Sequence, residues 1–124
     1  DLMLTKEKIP FINENALMKL ALKVISQKKL GTLVARDKKG YTTGIITDGQ
    51  IRRVSQTKNG LNSLKVSSLM TKNPLTVNKD TLALKALSIM NKKKITCLCV
   101  NSSLNKKRTI GIIHIHNILE NITN

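Results

Sequence analysis

Gly44 to Arg53 reads GIITDGQIRR, and Gly111 to Glu120 reads GIIHIHNILE. Both stretches open on Gly-Ile-Ile, and both place an Ile seven residues after the Gly. Between these anchors the chain changes: Thr47-Asp48-Gly49-Gln50 in one copy, His114-Ile115-His116-Asn117 in the other. An apolar frame that repeats while its polar insert varies describes two related scaffolds carrying two different surfaces.

The echo reaches further upstream. With Asn13 set on Asn78, an offset of 65, Leu17 meets Leu82, Ala21 meets Ala86, Leu22 meets Leu87, Lys29 meets Lys94 and Leu33 meets Leu98. At the two glycines the offset has grown to 67. The second copy therefore holds two extra residues, opposite the segment between Ala35 and Gly44, where Asp37-Lys38-Lys39-Gly40 has the composition of a turn. Turns are where insertions are tolerated. A Leu-Met pair also precedes each copy, Leu2-Met3 and Leu69-Met70. The period is longer than that of common solenoid repeats, and there are two copies. The reading is two pseudo-symmetric halves, 1–60 and 61–124, each too small to bury a comfortable core alone.

Each half reads β-α-β-β-α. An apolar stretch comes first, Ile9-Pro10-Phe11-Ile12 or Leu75-Thr76-Val77. A helix follows, with Leu17, Leu20, Ala21, Val24 and Ile25 at helical spacing for a core face and Lys19, Lys23 and Gln27 outside. Asn15 and Asp80 are the expected N-caps. Two strands joined by a turn come next, Thr32–Ala35 with Thr43–Ile46, and Thr96–Val100 with Thr109–Ile113. A last helix starts near Asp48 or His116. The expected class is α+β, a mixed sheet with helices on one face.

Composition narrows the function. The 124 residues hold 22 Lys+Arg against 7 Asp+Glu, a formal charge of +15. This favours anionic partners. The lysines fall in runs such as Lys28-Lys29, Lys38-Lys39, Lys92-Lys93-Lys94 and Lys106-Lys107, at predicted turns and helix ends where solvated charge is the plain explanation. A single-strand nucleic-acid binder needs stacking platforms, and the aromatic residues here are Phe11 and Tyr41. Nucleic acid, suggested by charge alone, is the competing class. No apolar run is long enough to span a membrane, and no leader marks secretion. Cys97 and Cys99 lie about 7 Å apart on one side of a strand, too far for an easy disulfide. A reduced structural pair in a cytoplasmic protein is expected. The chain opens on Asp1-Leu2-Met3, within the first Leu-Met motif, and reads as a piece of a longer protein.

The two Gly-Ile-Ile strand ends, the Leu-Met motifs and the prolines Pro10 and Pro74 at the first strands resemble the CBS domain family, whose members come as tandem pairs, or Bateman modules. The strings DLMLTKEKIP, TDGQIRRV, SSLMTKNPLTV and GIIHIHNIL resemble more particularly the C-terminal half of D-arabinose-5-phosphate isomerases. Those enzymes carry a sugar-isomerase (SIS) domain followed by a CBS pair. The resemblance implies a parent that interconverts D-ribulose 5-phosphate and D-arabinose 5-phosphate at the entry to 3-deoxy-D-manno-octulosonate and lipopolysaccharide. Its catalytic residues would lie in the SIS domain, so none is assigned here. The implied role is regulatory: sensing an anionic effector, such as a nucleotide or sugar nucleotide, and oligomerising, as a dimer through the CBS modules. A CBS pair from another parent, such as a transporter or dehydrogenase, is the alternative.

The candidate ligand residues are Thr47, Asp48, Gly49, Gln50, Arg52, Arg53, His114, His116 and Asn117. A helix N-terminus offers free N–H groups and a positive dipole, and Thr47 adds a hydroxyl. The resemblance implies a Ser or Thr for phosphate and an Asp three residues on for ribose. Here those third positions are the amides Gln50 and Asn117. Thr-x-x-Gln is equally a capping box that needs no ligand. Ile51 and Val54 are spaced for the core, leaving Arg52 and Arg53 outward, where they suit an anion and equally suit solvated surface charge or contact with a further domain. His114 and His116 lack a nearby third ligand, so no metal is expected. No cofactor is expected either.

Overall fold

The computed structural model describes residues 4–5, 9–28, 31–56 and 59–115. Its elements, in chain order, are β1 (Leu4–Thr5), β2 (Phe11–Asn13), α1 (Met18–Lys28), β3 (Thr32–Arg36), β4 (Thr42–Thr47), α2 (Asp48–Ser55), a 3-10 turn (Leu61–Ser63), α3 (Val66–Leu69), β5 (Thr71–Lys72), β6 (Thr76–Asn78), α4 (Ala83–Lys93), β7 (Cys97–Asn101) and β8 (Thr109–His114). The β-α-β-β order of each copy and the mixed α+β class are as the sequence predicts, with a last helix, α2, following in the first copy. The last helix expected near His116 lies outside the described residues.

Two four-stranded sheets form, with orders β2-β3-β4-β5 and β1-β8-β7-β6. In each, the first strand of the copy lies parallel to the next, β2 on β3 and β6 on β7, and a hairpin follows. The fourth strand comes from elsewhere. β5, which leads into the second copy, pairs with β4 of the first, Gly44 opposite Lys72 and Ile45 opposite Thr71. β1, which leads into the first copy, pairs with β8 of the second, Thr5 opposite Gly111 and Leu4 opposite Ile112. The register matches residue for residue at the offset of 67. Each Gly-Ile is therefore a docking strip for the lead strand of the other copy. One compact unit is Pro10–Pro74, and the other joins β1 to the chain from Leu75 onward.

The hairpins explain the change of offset. Both ladders shift register at the same place, between Ala35 and Arg36 and between Val100 and Asn101. Residues 37–41 then link the strands in the first copy, and the longer 102–108 in the second. The two extra residues sit in the turn, as expected.

In the Pro10–Pro74 unit the core gathers Ile12, Met18, Ala21, Ile25, Leu33, Ala35, Ile46 and Val66. In the other unit it gathers Ala86, Met90, Leu98, Val100 and Ile113. Central strands β3 and β7 are buried along both faces rather than alternately, Thr32 to Ala35 and Cys97 to Val100. A run buried on both sides has no use for a polar face.

Three expectations for the helices need correction. Leu17 and Leu20 are 47 % and 49 % exposed, while Met18 is fully buried. Helix α1 begins at Met18 and presents Met18, Ala21 and Ile25 inward, a 3-then-4 spacing that rotates Leu17 and Leu20 off the core. Asn15 and Asp80 do not cap. Their backbone N–H groups donate to Asn13 Oδ1 and Asn78 Oδ1, at 2.8 and 3.0 Å, in matching side-chain turns before each helix. The N-cap position of α4 is Leu82, without a side-chain bond.

The segment after α2 returns to α1. Met18 N–H donates to Leu64 C=O and Val66 N–H to Ala16 C=O, at 2.7 and 2.8 Å. Val66 enters the core and the chain turns into β5. There Met70 lies over Gly44: a methyl at Gly44 would stand 2.5 Å from Met70 Sδ and 2.9 Å from the Thr71 carbonyl oxygen. Gly44→Ala should therefore cost about 1–3 kcal/mol in urea denaturation, the scale of overpacking in a tight interior. Met70→Ala in that background should recover only part, because the Thr71 backbone stays in place. A Gly44→Ala protein as stable as the parent would show that β5 does not need this close approach.

Candidate functional site

Strand β4 ends at Thr47 and α2 begins at Asp48. Thr47 is extended, with φ −116° and ψ 159°, and caps the helix. Its Oγ1 accepts from Gln50 N–H at 3.3 Å, and Gln50 Oε1 accepts from Thr47 N–H at 2.9 Å. The capping box is complete. Gln50 does more than the motif requires: its Nε2 donates to Thr71 Oγ1 on β5. One side chain thus closes the helix start and ties it to the exchanged strand.

Asp48 sits in the first turn, where a carboxylate favours the helix dipole. Its N–H donates to Gly31 C=O at 2.9 Å. Gly31 has φ +73°, and a methyl there would come 3.0 Å from Asp48 Oδ2, so both backbone and space ask for glycine. A methyl at Gly49 would stand 3.4 Å from Arg53 Nη1 and 3.9 Å from Thr47 Oγ1. The Arg53 guanidinium therefore folds back to the start of its own helix. Arg52 and Arg53 are exposed, while Ile51 packs against the core, as the spacing predicts. Asp48 N–H and Gln50 N–H have acceptors, which leaves Gly49 N–H as the open first-turn donor among the described residues. The Thr47 hydroxyl, which itself donates to Gln50 Oε1 at 3.3 Å, the open amide and the guanidinium meet over a residue without a side chain.

The second copy builds the same corner with other residues. His114 ends β8 opposite Cys97, as Thr47 ends β4 opposite Thr32. Ile115 N–H donates to Thr96 C=O at 2.8 Å, the counterpart of the Asp48–Gly31 bond. His114 is half-buried. His116 and Asn117 lie outside the described residues. Thr47, Asp48, Gly49, Gln50 and Arg53 are brought together, and Arg52 is set apart on the exposed side of α2. Among the described residues no three His, Cys, Asp or Glu side chains are grouped to hold a metal ion, and no helix is long and apolar enough to cross a membrane.

A CBS domain family model matches residues 1–57 and again residues 66–124. The chain belongs to the CBS domain family. It is a tandem pair, homologous to the CBS portion of KdsD-like sugar isomerases. Arabinose 5-phosphate isomerase KdsD of Yersinia pestis is 34% identical over 119 residues, covering 96% of this chain and 35% of that protein. The chain thus spans about a third of the length of the curated relatives it matches. The CBS domain pair of protein MJ0100, in complex with 5'-methylthioadenosine and S-adenosyl-L-methionine, superposes with a TM-score of 0.84 at 22% identity, over 98% of this chain and 96% of that one. CBSX2 in complex with AMP gives 0.81 at 21%, over 99% and 93%. These two likenesses concern the fold.

Neither cysteine of this CBS pair is in a disulfide, and both are buried. Burial pushes the Cys99 thiol up from 9.0 to about 11, against a smaller lowering by its hydrogen bond with Thr109. A shift of two units means ~100-fold less thiolate near neutral pH. With Cys97→Ala as background, Cys99 should react with a disulfide reagent at pH 8 at least ~100-fold more slowly in folded than in urea-unfolded protein. The folded-state pKa is raised, so its contribution to stability is full below about pH 9 and is lost as pH rises through about 11. Equal rates in both states would show that the strand opens readily.

Proposed function

We propose that this CBS pair is the regulatory module of a sugar-phosphate isomerase acting between D-ribulose 5-phosphate and D-arabinose 5-phosphate, joined in cis to a catalytic SIS domain. It senses an anionic effector, a nucleotide or sugar nucleotide, and self-associates. It carries no catalytic residue of its own. The similarity to KdsD across nearly the whole chain supports the parent. The sensing role rests on the start of α2, where Thr47 Oγ1, Gly49 N–H and Arg53 Nη1 surround one small space. A cation folded onto the positive end of a helix dipole is unfavourable by itself and favourable with an anion between them. CBSX2 and the MJ0100 CBS pair are complexes with adenosine compounds. In this chain the amides Gln50 and Asn117 stand where the family places a ribose-binding Asp, and adenosine nucleotides are expected to bind more weakly for it.

Calorimetry against a panel of nucleotides and sugar nucleotides tests the sensing role. Thr47→Val should cost about 1 kcal/mol of stability as a lost cap, with or without a ligand. Arg53→Met leaves the cap intact, so it should leave stability within about 0.5 kcal/mol. It should weaken effector binding about tenfold, as loss of one charged hydrogen bond does. If no compound in the panel gives heat at millimolar concentration, the corner is a helix cap and the module serves assembly alone.

Self-association rests on α4 and the residue that caps it, where Leu82 and Leu84 are 75 % and 71 % exposed. Met18 of α1 is buried in the core and has no part in this surface. Apolar side chains left in water favour pairing, and two-fold dimers are the commonest solution. Leu84→Glu should shift the protein toward monomer in sedimentation velocity. A parent protein already monomeric at high micromolar concentration would end this part of the proposal.

A further inference from the structure

Beyond the start of α2, the first copy carries a second polar feature at the opposite end of its sheet. Strand β4 runs from Thr42 to Thr47, so its two ends are about 16 Å apart. At the Thr42 end lies an open hollow of about 420 Å³, lined by Phe11, Ile12, Asn13, Arg36 and the turn residues 37–40. That volume is in the range of small-molecule sites.

The lining is organised for negative charge. Arg36 lies over the Phe11 ring, its Cζ 4.0 Å from the centroid. Stacking orients a flat guanidinium and leaves its N–H edge to bond a ligand. No carboxylate pairs with Arg36 among the described residues. The acidic residue of the lining, Asp37, is turned into the loop: its Oδ1 accepts from Lys39 N–H at 2.9 Å and Tyr41 N–H at 3.0 Å. Gly40, at φ +84°, lets the turn close, with its N–H on the Asp37 carbonyl. Arg36 and Lys38 share this lining with one carboxylate, which is already held by backbone amides.

The second copy does not repeat this. By sheet register, Phe11 opposite Val34 becomes Thr76 opposite Cys99, and Asn13 opposite Arg36 becomes Asn78 opposite Asn101. Both partners of the stack are gone at once, although the strands and the register shift are kept. The stack is therefore no requirement of the scaffold.

We propose that this hollow is a binding site for a small phosphorylated metabolite. The Arg36 fork holds the phosphate, and Lys38 adds positive charge beside it. The site is separate from the start of α2, so either can fail without the other.

Pyrophosphate is the probe, titrated into the 124-residue protein at constant ionic strength and followed by amide chemical shifts. The shifts should saturate at Phe11, Arg36, Lys38 and Gly40. Arg36→Met should weaken that saturation about tenfold, the worth of a charged hydrogen bond, while Arg53→Met leaves it unchanged. Should Arg36→Met disturb folding, Lys38→Ser on the exposed turn provides the second reading, with affinity lowered severalfold. The proposal is overturned by non-saturating shifts spread over all the lysine runs. It is equally overturned by a folded Arg36→Met protein, or a Lys38→Ser protein, that binds as well as the parent.

Discussion

The exchange of lead strands is the constraint on which this structure rests. Neither copy of the repeat completes its own sheet. Each supplies three strands and takes the fourth from the segment that introduces the other. The repeated Gly-Ile is the receiving strip, and in the first copy its first residue, Gly44, is small because Met70 and the Thr71 carbonyl oxygen press on it. From this follows the position of α2, which starts where the receiving strand ends and is bonded through Gln50 to the strand received.

At the start of α2 the scaffold and the proposed effector site share atoms. Thr47 and Gln50 complete a capping box, so much of their polar capacity is used before any effector arrives. What remains belongs to neighbours that no capping motif mentions: the amide of Gly49 and the guanidinium of Arg53. A site of this kind keeps its shape empty, because the cap holds it. Binding of the proposed effector would then add little structural change of its own.

Much of this was legible in the sequence. Periodicity located α1, both hairpins and their differing turns, and the family resemblance held across the chain. The core face of α1 was read correctly at Ala21, Val24 and Ile25 and too widely at Leu17 and Leu20, because spacing alone does not show which edge of an apolar face stays in water. The caps were misread because Asn13 and Asn78 bond one turn earlier and displace the residues that looked like caps. Lead strands of two residues are too short to show alternation, so their echo was visible but their partners were not. The Arg36–Phe11 stack joins residues far apart in the chain through parallel pairing, and no local pattern announces it. His116 and Asn117 remain known from sequence alone.

Strand exchange also makes the two units unequal in time. Synthesis runs from one end of a chain to the other, and what has emerged can fold before the rest exists. The unit Pro10–Pro74 is contiguous, so all its strands are present once Pro74 has left the ribosome. β1 is made before any of them, yet its partner β8 is nearly the last strand to appear. Between the completion of the Pro10–Pro74 unit and the synthesis of β8, β1 is without its partner strand while the segment that follows it can already fold. The chain is in effect one nucleus inserted into another, and the outer one closes last.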